Sequence, residues 1–267
     1  MKKLLSLFLA VIVVIGCVSF ASCGEKTAKT DFETIKEKGE LVIGITEFKP
    51  LNYKENGEWT GFETEFAQYV CEQLGVTPKF QVIDWDSKVT ELKSGNIDVI
   101  WNGMTVTDKL AENMDFSTTY IKNYQVVVVK EDAKYKSTAD LASLKLTCEK
   151  GSAGETAIKE DANLSKATCT PVTKQADALL EVKSGSSNAA VIDYVMAKKS
   201  VGDGTDYSDL KIIDGIELSS EEYGIGIRKG SDLKAKIDDQ IKAMSDNGKL
   251  NEIAAKYDLK DSLIINQ

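Results

Sequence analysis

Apolar and polar positions along the chain follow two rhythms. ELVIGIT reads as a buried strand, and FETEFAQYVCEQLG places Phe62, Phe66 and Val70 four residues apart on one helical face. KFQVI, SKVTELKSG and IDVIWNG continue this into a β-α-β-α-β order. After YQVVVVK (124–130) the alternation restarts with LKLTCEKG, GETAIKED, ATCTPV, ADALLEVKSG and AAVIDY. The predicted class is therefore α/β in two similar halves, each a mostly parallel sheet flanked by helices. ELKSGNIDVIWN (91–102) and LEVKSGSSNAAVIDY (180–194) fall at corresponding points of the halves, each a helix end closed by glycine and followed by an apolar strand.

Beyond Tyr194 come a Gly/Asp-rich loop, the strand LKIID, the run EEYGIGIRKG and two helical stretches with no strands of their own to cover. If these helices return to the first half, the chain crosses between lobes twice. The expected division is lobe 1 at 37–121 plus 224–267, lobe 2 at 125–219, and a hinge at 122–124 and 220–223. A hinge between two open α/β sheets places a ligand crevice at the strand C-termini.

The N-terminus reads as a processing signal. Lys2 and Lys3 precede LLSLFLAVIVVIG, an apolar run short for a membrane span. The following FASCGEKTAKTD resembles the bacterial lipoprotein box, which implies a signal peptide at 1–22, lipidation of Cys23 and a polar tether to residue 36. Phe20 stands where that box usually has leucine, and VIGC, ending at Cys17, is the alternative. A lipid-anchored protein on the extracellular face of the cytoplasmic membrane is expected.

Composition narrows the chemistry. Acidic residues outnumber basic ones 42 to 33 across 267 residues, and no Lys/Arg cluster is interleaved with aromatics, so nucleic acid is excluded as a partner. There is no histidine, which removes Ser-His and Cys-His nucleophile pairs and His-ligated zinc. The five cysteines include no CxxC pair. No cofactor and no metal are expected. Cys148 and Cys169 sit on strand-like runs joined by one helix, where either a disulfide or two plain core thiols fits.

The segments GITEFKPLNY, GEWTGFETEFA, NIDVIWNGMTVTDKLAENMDFSTTY, CEKGSAGETAIKE, AAVIDY and EEYGIGIRKGSDL together resemble the extracellular amino-acid-binding proteins of ABC importers, bacterial solute-binding protein family 3. The resemblance covers nearly the whole mature chain. It implies the periplasmic-binding-protein, or Venus flytrap, fold, a monomer that closes on an amine-bearing solute and passes it to a permease and ATPase complex. It also implies the site. The loop Asn102, Gly103, Met104, Thr105 offers backbone groups and a hydroxyl to a carboxylate, and Thr107 caps the next helix. Gly151, Ser152, Ala153 and Gly154 form a second helix start facing it, so that two helix N-termini address one anion. Asp193 matches the carboxylate that takes the ligand's ammonium. Phe48 and Trp85 match its aromatic walls, and Glu47 lies near the usual acidic residue, in a loop that is one residue shorter.

One position departs from that pattern. Leu110 stands where the family has the arginine that forks onto the ligand's α-carboxylate, and Arg228, the only arginine of the chain, has no ligand role in the resemblance. Three replacements are open: neighbouring Lys109, the helix N-termini alone, or a ligand without that carboxylate. The rival readings are a dehydratase of the same fold, with Glu149 and Asp193 facing one small acid, and a tethered sensor domain. Capture without catalysis is expected.

Overall fold

A computed structural model describes residues 29–265; Cys17, Cys23 and the leader lie outside them. Helix α1 (Asp31–Lys38), capped by Thr30 and ended at Gly39, leads into β1 (Glu40–Ile45). A hairpin of β2 (Tyr53–Glu55) and β3 (Glu58–Thr60) precedes α2 (Phe62–Leu74). Phe62, Phe66, Ala67, Val70 and Cys71 of α2 are fully buried, and the helix stops at Gly75, whose left-handed backbone (φ 65°) lets its N–H meet the last carbonyls. The half continues through β4 (Thr77–Val82), a short 3-10 turn at Trp85–Ser87, α3 (Lys88–Ser94), β5 (Val99–Ile100), the single turn α4 (Asp108–Ala111) and β6 (Met114–Phe116).

The ten-residue strand β7 (Ile121–Lys130) leads into the second half. There β8 (Lys145–Thr147), α5 (Ala153–Glu160), β9 (Thr168–Cys169), α6 (Gln175–Ser184), β10 (Ala189–Asp193), α7 (Tyr194–Ser200) and β11 (Leu210–Ile212) follow in order. The chain leaves by β12 (Ser220–Tyr223), adds β13 (Gly226–Arg228) to the first sheet, and ends with α8 (Leu233–Asp246) and α9 (Lys249–Lys256) packed on α2.

The strands form two mixed sheets, ordered β4-β1-β5-β13-β6 and β11-β7-β10-β8-β9. Three adjacent strands of each are parallel, and antiparallel β13 and β7 join them to the edge strands β6 and β11. The fold is two-lobed α/β, as the sequence pattern predicts. Strand β7 does two jobs: Ile121–Tyr124 pair antiparallel with β12, while Gln125–Val129 pair with β10 inside the second sheet. These paired segments are the two places where the chain passes between sheets. The repeated Lys-Ser-Gly ends α3 and α6 alike, with Gly95 and Gly185 at φ 77° and 82°.

Two sequence questions are settled by packing. Arg228 binds Asp31 through Nε (2.9 Å), the Ile97 carbonyl through Nη1 (2.9 Å) and Asp98 through Nη2 (3.2 Å), so it ties α1 and β5 to β13, away from the cavity described below. Cys148 and Cys169 are free thiols with sulfurs 3.6 Å apart, well beyond bonding distance. Cys71 is a core thiol, pushed up to about 12 by burial. Among the described residues no helix is long and apolar enough to cross a membrane.

Candidate functional site

The strand ends of both sheets meet at a small cavity. From the first half it is lined by Phe48, Trp85, Asn102, Gly103 and Thr105; from the second by Glu149, Ser152, Ala153, Gln175 and Asp193. Its volume is about 20 Å³, room for a single water. The lobes are therefore shut over their own side chains, and anything larger enters only if the sheets part.

Asp193 ends β10 and is buried. Its Oδ1 accepts from Asn123 Nδ2 (2.6 Å), Gln125 Nε2 (2.9 Å) and Tyr223 OH (2.5 Å), and its Oδ2 from Gln175 Nε2. All four donors are neutral, and among the described residues no lysine or arginine forms an ion pair with it. Burial raises its pKa above the usual carboxylate range, against the pull of those donors. Glu221, on β12, joins the same network, accepting from Asn123, Gln125, Ser219 and Thr105. Burial, and then the charge of Asp193, push it up to about 7. Glu149 is buried, also beside Asp193, and is pushed up to about 8 by burial and that charge. Its Oε1 has no hydrogen-bond partner.

Beneath the Asn102–Thr105 loop lies a further carboxylate. Glu63 accepts from Gly103 N (2.9 and 3.0 Å), Tyr120 OH (2.5 Å) and Asn52 Nδ2 (3.0 Å), and burial holds it up at about 7. Gly103 has φ +55°, and a methyl group there would come within 2.5 Å of Phe48 Cε1. The glycine brings the Phe48 ring against the loop. Gly151 does the same across the lobes: at φ +71°, an added carbon would meet Asp86 Cα at 2.9 Å.

Other sequence-predicted residues stand elsewhere. Met104 lines no part of the cavity; it is fully buried against Ile83, Leu92 and Met114. Glu47 is exposed at the rim, 3.4 Å from Lys174. Lys109 is exposed on α4 and does not line the cavity. The first of the two expected helix N-termini is slight, because α4 has only four residues, capped by Thr107 Oγ1 accepting from Leu110 N (3.2 Å), and aligns few peptide dipoles. The second, on α5, is formed: Ser152 Oγ accepts from Glu155 N at 3.2 Å. The Gly103 N–H and the Thr105 hydroxyl, expected to face a ligand, donate to Glu63 and Glu221. Leu110 packs against the Ile83, Trp85 and Leu92 cluster, so an apolar side chain fills the departure from the arginine pattern.

A buried cation does exist, and the sequence reading missed it. Lys88, the first residue of α3, donates to the Trp85 carbonyl (3.1 Å) in its own half and to the Gly151 carbonyl (2.9 Å) in the other, with its Nζ 4.7 Å from the Trp85 ring centre. Burial lowers it to about 8, while Glu149, Asp86 and Glu155 pull the other way. Surface pairs also span the halves: Lys150 with Asp86 (2.8 Å), Lys49 with Asp206 (2.9 Å) and Lys199 with Asp258 (2.8 Å). Exposed pairs of this kind are screened by solvent and contribute little, so together they bias the closed form without fixing it. Gln175, Gln125, Asn123 and Glu221 were missed as well. The signal for the last three was polarity inside the crossover strands, where a buried apolar pair of strands would otherwise serve.

A larger, open cavity of about 420 Å³ lies between Tyr194–Lys199 and Tyr257–Leu259. Two of its three lysines, Lys49 and Lys199, pair with Asp206 and Asp258, and none of its lining residues has a buried polar side-chain atom without a partner, whereas the smaller cavity holds the unpartnered Glu149 oxygen.

Two α/β lobes joined by paired crossover strands, with buried carboxylates where their strand ends face, define a solute-binding protein. The comparisons agree: the model of the bacterial extracellular solute-binding proteins, family 3, matches residues 41–260, and the chain belongs to that family. It is similar to the arginine-binding extracellular protein ArtP of Bacillus subtilis (30% identity, 96% of this chain and 98% of that one). It is also similar to the glutamine-binding protein GlnH of an ABC transporter in the same organism (30%, 98% and 99%). Among solved structures it resembles an ancestral amino-acid-binding protein described as a precursor of cyclohexadienyl dehydratase (TM-score 0.77, 30% identity, 85% of this chain and 98% of that one). Its sequence relatives are thus amino-acid-binding proteins of ABC transporters.

Proposed function

We propose that the chain captures a small polar solute bearing a positive amine, of the amino-acid class, and delivers it to an ABC permease and its ATPase. The observation that carries this is Asp193: a buried carboxylate at a strand end between two lobes, met by four neutral donors and no cation. Such a group is costly to ionise in an apolar surround and gains most from an arriving ammonium. Phe48 and Trp85 supply apolar walls for the ligand's stem. The relatives that bind arginine and glutamine support the class.

Entry requires the lobes to part about β7 and β12, with 122–124 and 220–223 as the hinge. The lipoprotein reading places the protein, as a monomer anchored through Cys23, on the outer face of the membrane. We propose capture without turnover. Two carboxylates, Glu149 and Asp193, line the cavity and Glu221 joins the network of Asp193, while the nearby buried ammonium of Lys88 already meets two carbonyls, so an acidic substrate would find little to balance its charge.

Native mass measurement of the purified protein, followed by melting against a panel of amino acids and amines, tests this. An amine-bearing adduct, or a solute from the panel that raises the melting temperature, is expected. Neither, across the whole panel, would overturn it.

A further inference from the structure

Asp193 is met on every side by hydrogen-bond donors, whereas Glu149 is not. Glu149 immediately precedes the Lys150–Gly151 turn into α5, is 3% exposed, and lines the same cavity, yet its Oε1 has no partner. Gln175 lies beside both acids, its amide on Asp193 and within reach of Glu149, so the two carboxylates are neighbours. Lys88 lies near, but its ammonium is committed to the carbonyls of Trp85 and Gly151, and it forms no ion pair with Glu149. The other charges that bear on Glu149, Asp193 at the end of β10 and Asp177 on α6, are negative.

A buried carboxylate with an unmet oxygen has two remedies: it keeps a proton, or a ligand brings it a positive donor. An amino acid with a neutral side chain brings one positive charge, which leaves two neighbouring buried carboxylates with a single cation between them. We propose that Glu149 is a specificity determinant, selecting within the class proposed above a solute with two basic groups, one held at Asp193 and the other at Glu149. Such a ligand displaces the proton that burial otherwise keeps on Glu149, so capture releases a proton to solvent. It also lessens the need for the missing arginine, because the attraction then falls on the basic groups in place of the α-carboxylate.

The inference rests on the amine-capture reading and is separable from it. Calorimetry of the intact mature protein at neutral pH, with L-arginine, L-lysine, agmatine and L-glutamine as probes, is the test. At least one dibasic probe is expected to bind about tenfold or more tightly than L-glutamine, since one charged hydrogen bond corresponds to at least that factor. Its binding heat should vary with the ionisation heat of the buffer. In Glu149→Gln the dibasic probe should lose about tenfold or more relative to L-glutamine, and the buffer dependence should vanish. L-glutamine binding as tightly as every dibasic probe, or a variant that weakens both kinds equally, overturns the inference and leaves amine capture standing. If none of the four probes binds while another amine of the wider panel does, the inference falls and amine capture stands.

Discussion

Replacing Asp193 with asparagine is expected to lower solute affinity by about a hundredfold or more while leaving the protein folded. Removing one partner of a buried charge pair costs about 3–5 kcal/mol, and each 1.4 kcal/mol is a factor of about ten. The substitution tolerates folding because Asn123, Gln125 and Tyr223 all donate to Oδ1, an acceptor that asparagine keeps. Only the donation from Gln175 to Oδ2 is lost, while the Gln175 carbonyl keeps accepting from the backbone N–H of residue 193, so the cost to folding is that of about one hydrogen bond, roughly 1 kcal/mol. Calorimetry of the variant, with a melting curve to establish the fold, reads both quantities. Affinity within a few-fold of the parent would remove Asp193 from the site.

The ligand-free protein is expected to lose stability as the pH rises from about 5 to about 8, opposite to the usual behaviour of carboxylate-rich proteins in that range. Glu63 goes from 4.5 unfolded to about 7 folded, Glu221 from 4.5 to about 7, and Glu149 from 4.5 to about 8. Between those values the folded form binds more protons than the unfolded chain, so stability is full below pH 4.5 and falls until the folded values are passed. A shift of one unit corresponds to about 1.4 kcal/mol, so Glu63 alone accounts for roughly 3 kcal/mol. For a domain of this size that is a drop in melting temperature on the order of 10 °C. Asp31, Asp115 and Glu155 are held below their ordinary values and act in the opposite sense, but only as the pH falls below about 4. Melting followed across this range decides it, and a melting temperature that climbs steadily from pH 5 to 8 without ligand would be the wrong sign. With the bound solute present the decline should flatten, because a cation at Asp193 and Glu149 favours their ionised forms.

The fold class was legible because its signals are local and periodic. Phe62, Phe66 and Val70 lie on one face of α2, and the two Lys-Ser-Gly endings stop α3 and α6 before strands. Strand β7 was harder to place. VVVV (126–129) is apolar at every position, as expected of a strand covered on both sides, so nothing in its period shows that it runs antiparallel within the second sheet. The cavity was legible where the family pattern touches it, at Phe48, Trp85, Gly103, Ser152 and Asp193. It was illegible where distant segments meet. Lys88 looks like any helix residue until Gly151, 63 positions away, presents its carbonyl. Glu221 is one acid among many until the β12 pairing turns it inward beside Asn123. Thr105 was read as reaching outward to a ligand, and Glu221 is what it meets.

Closure of two lobes around a solute at Asp193 is the claim on which the rest depends, and small-angle scattering of the mature protein tests it most directly. The radius of gyration should be larger without ligand than with it, and should contract only with those amino acids or amines that also give binding heat. Tight binding with no contraction, or contraction undiminished in Asp193→Asn, would contradict the account.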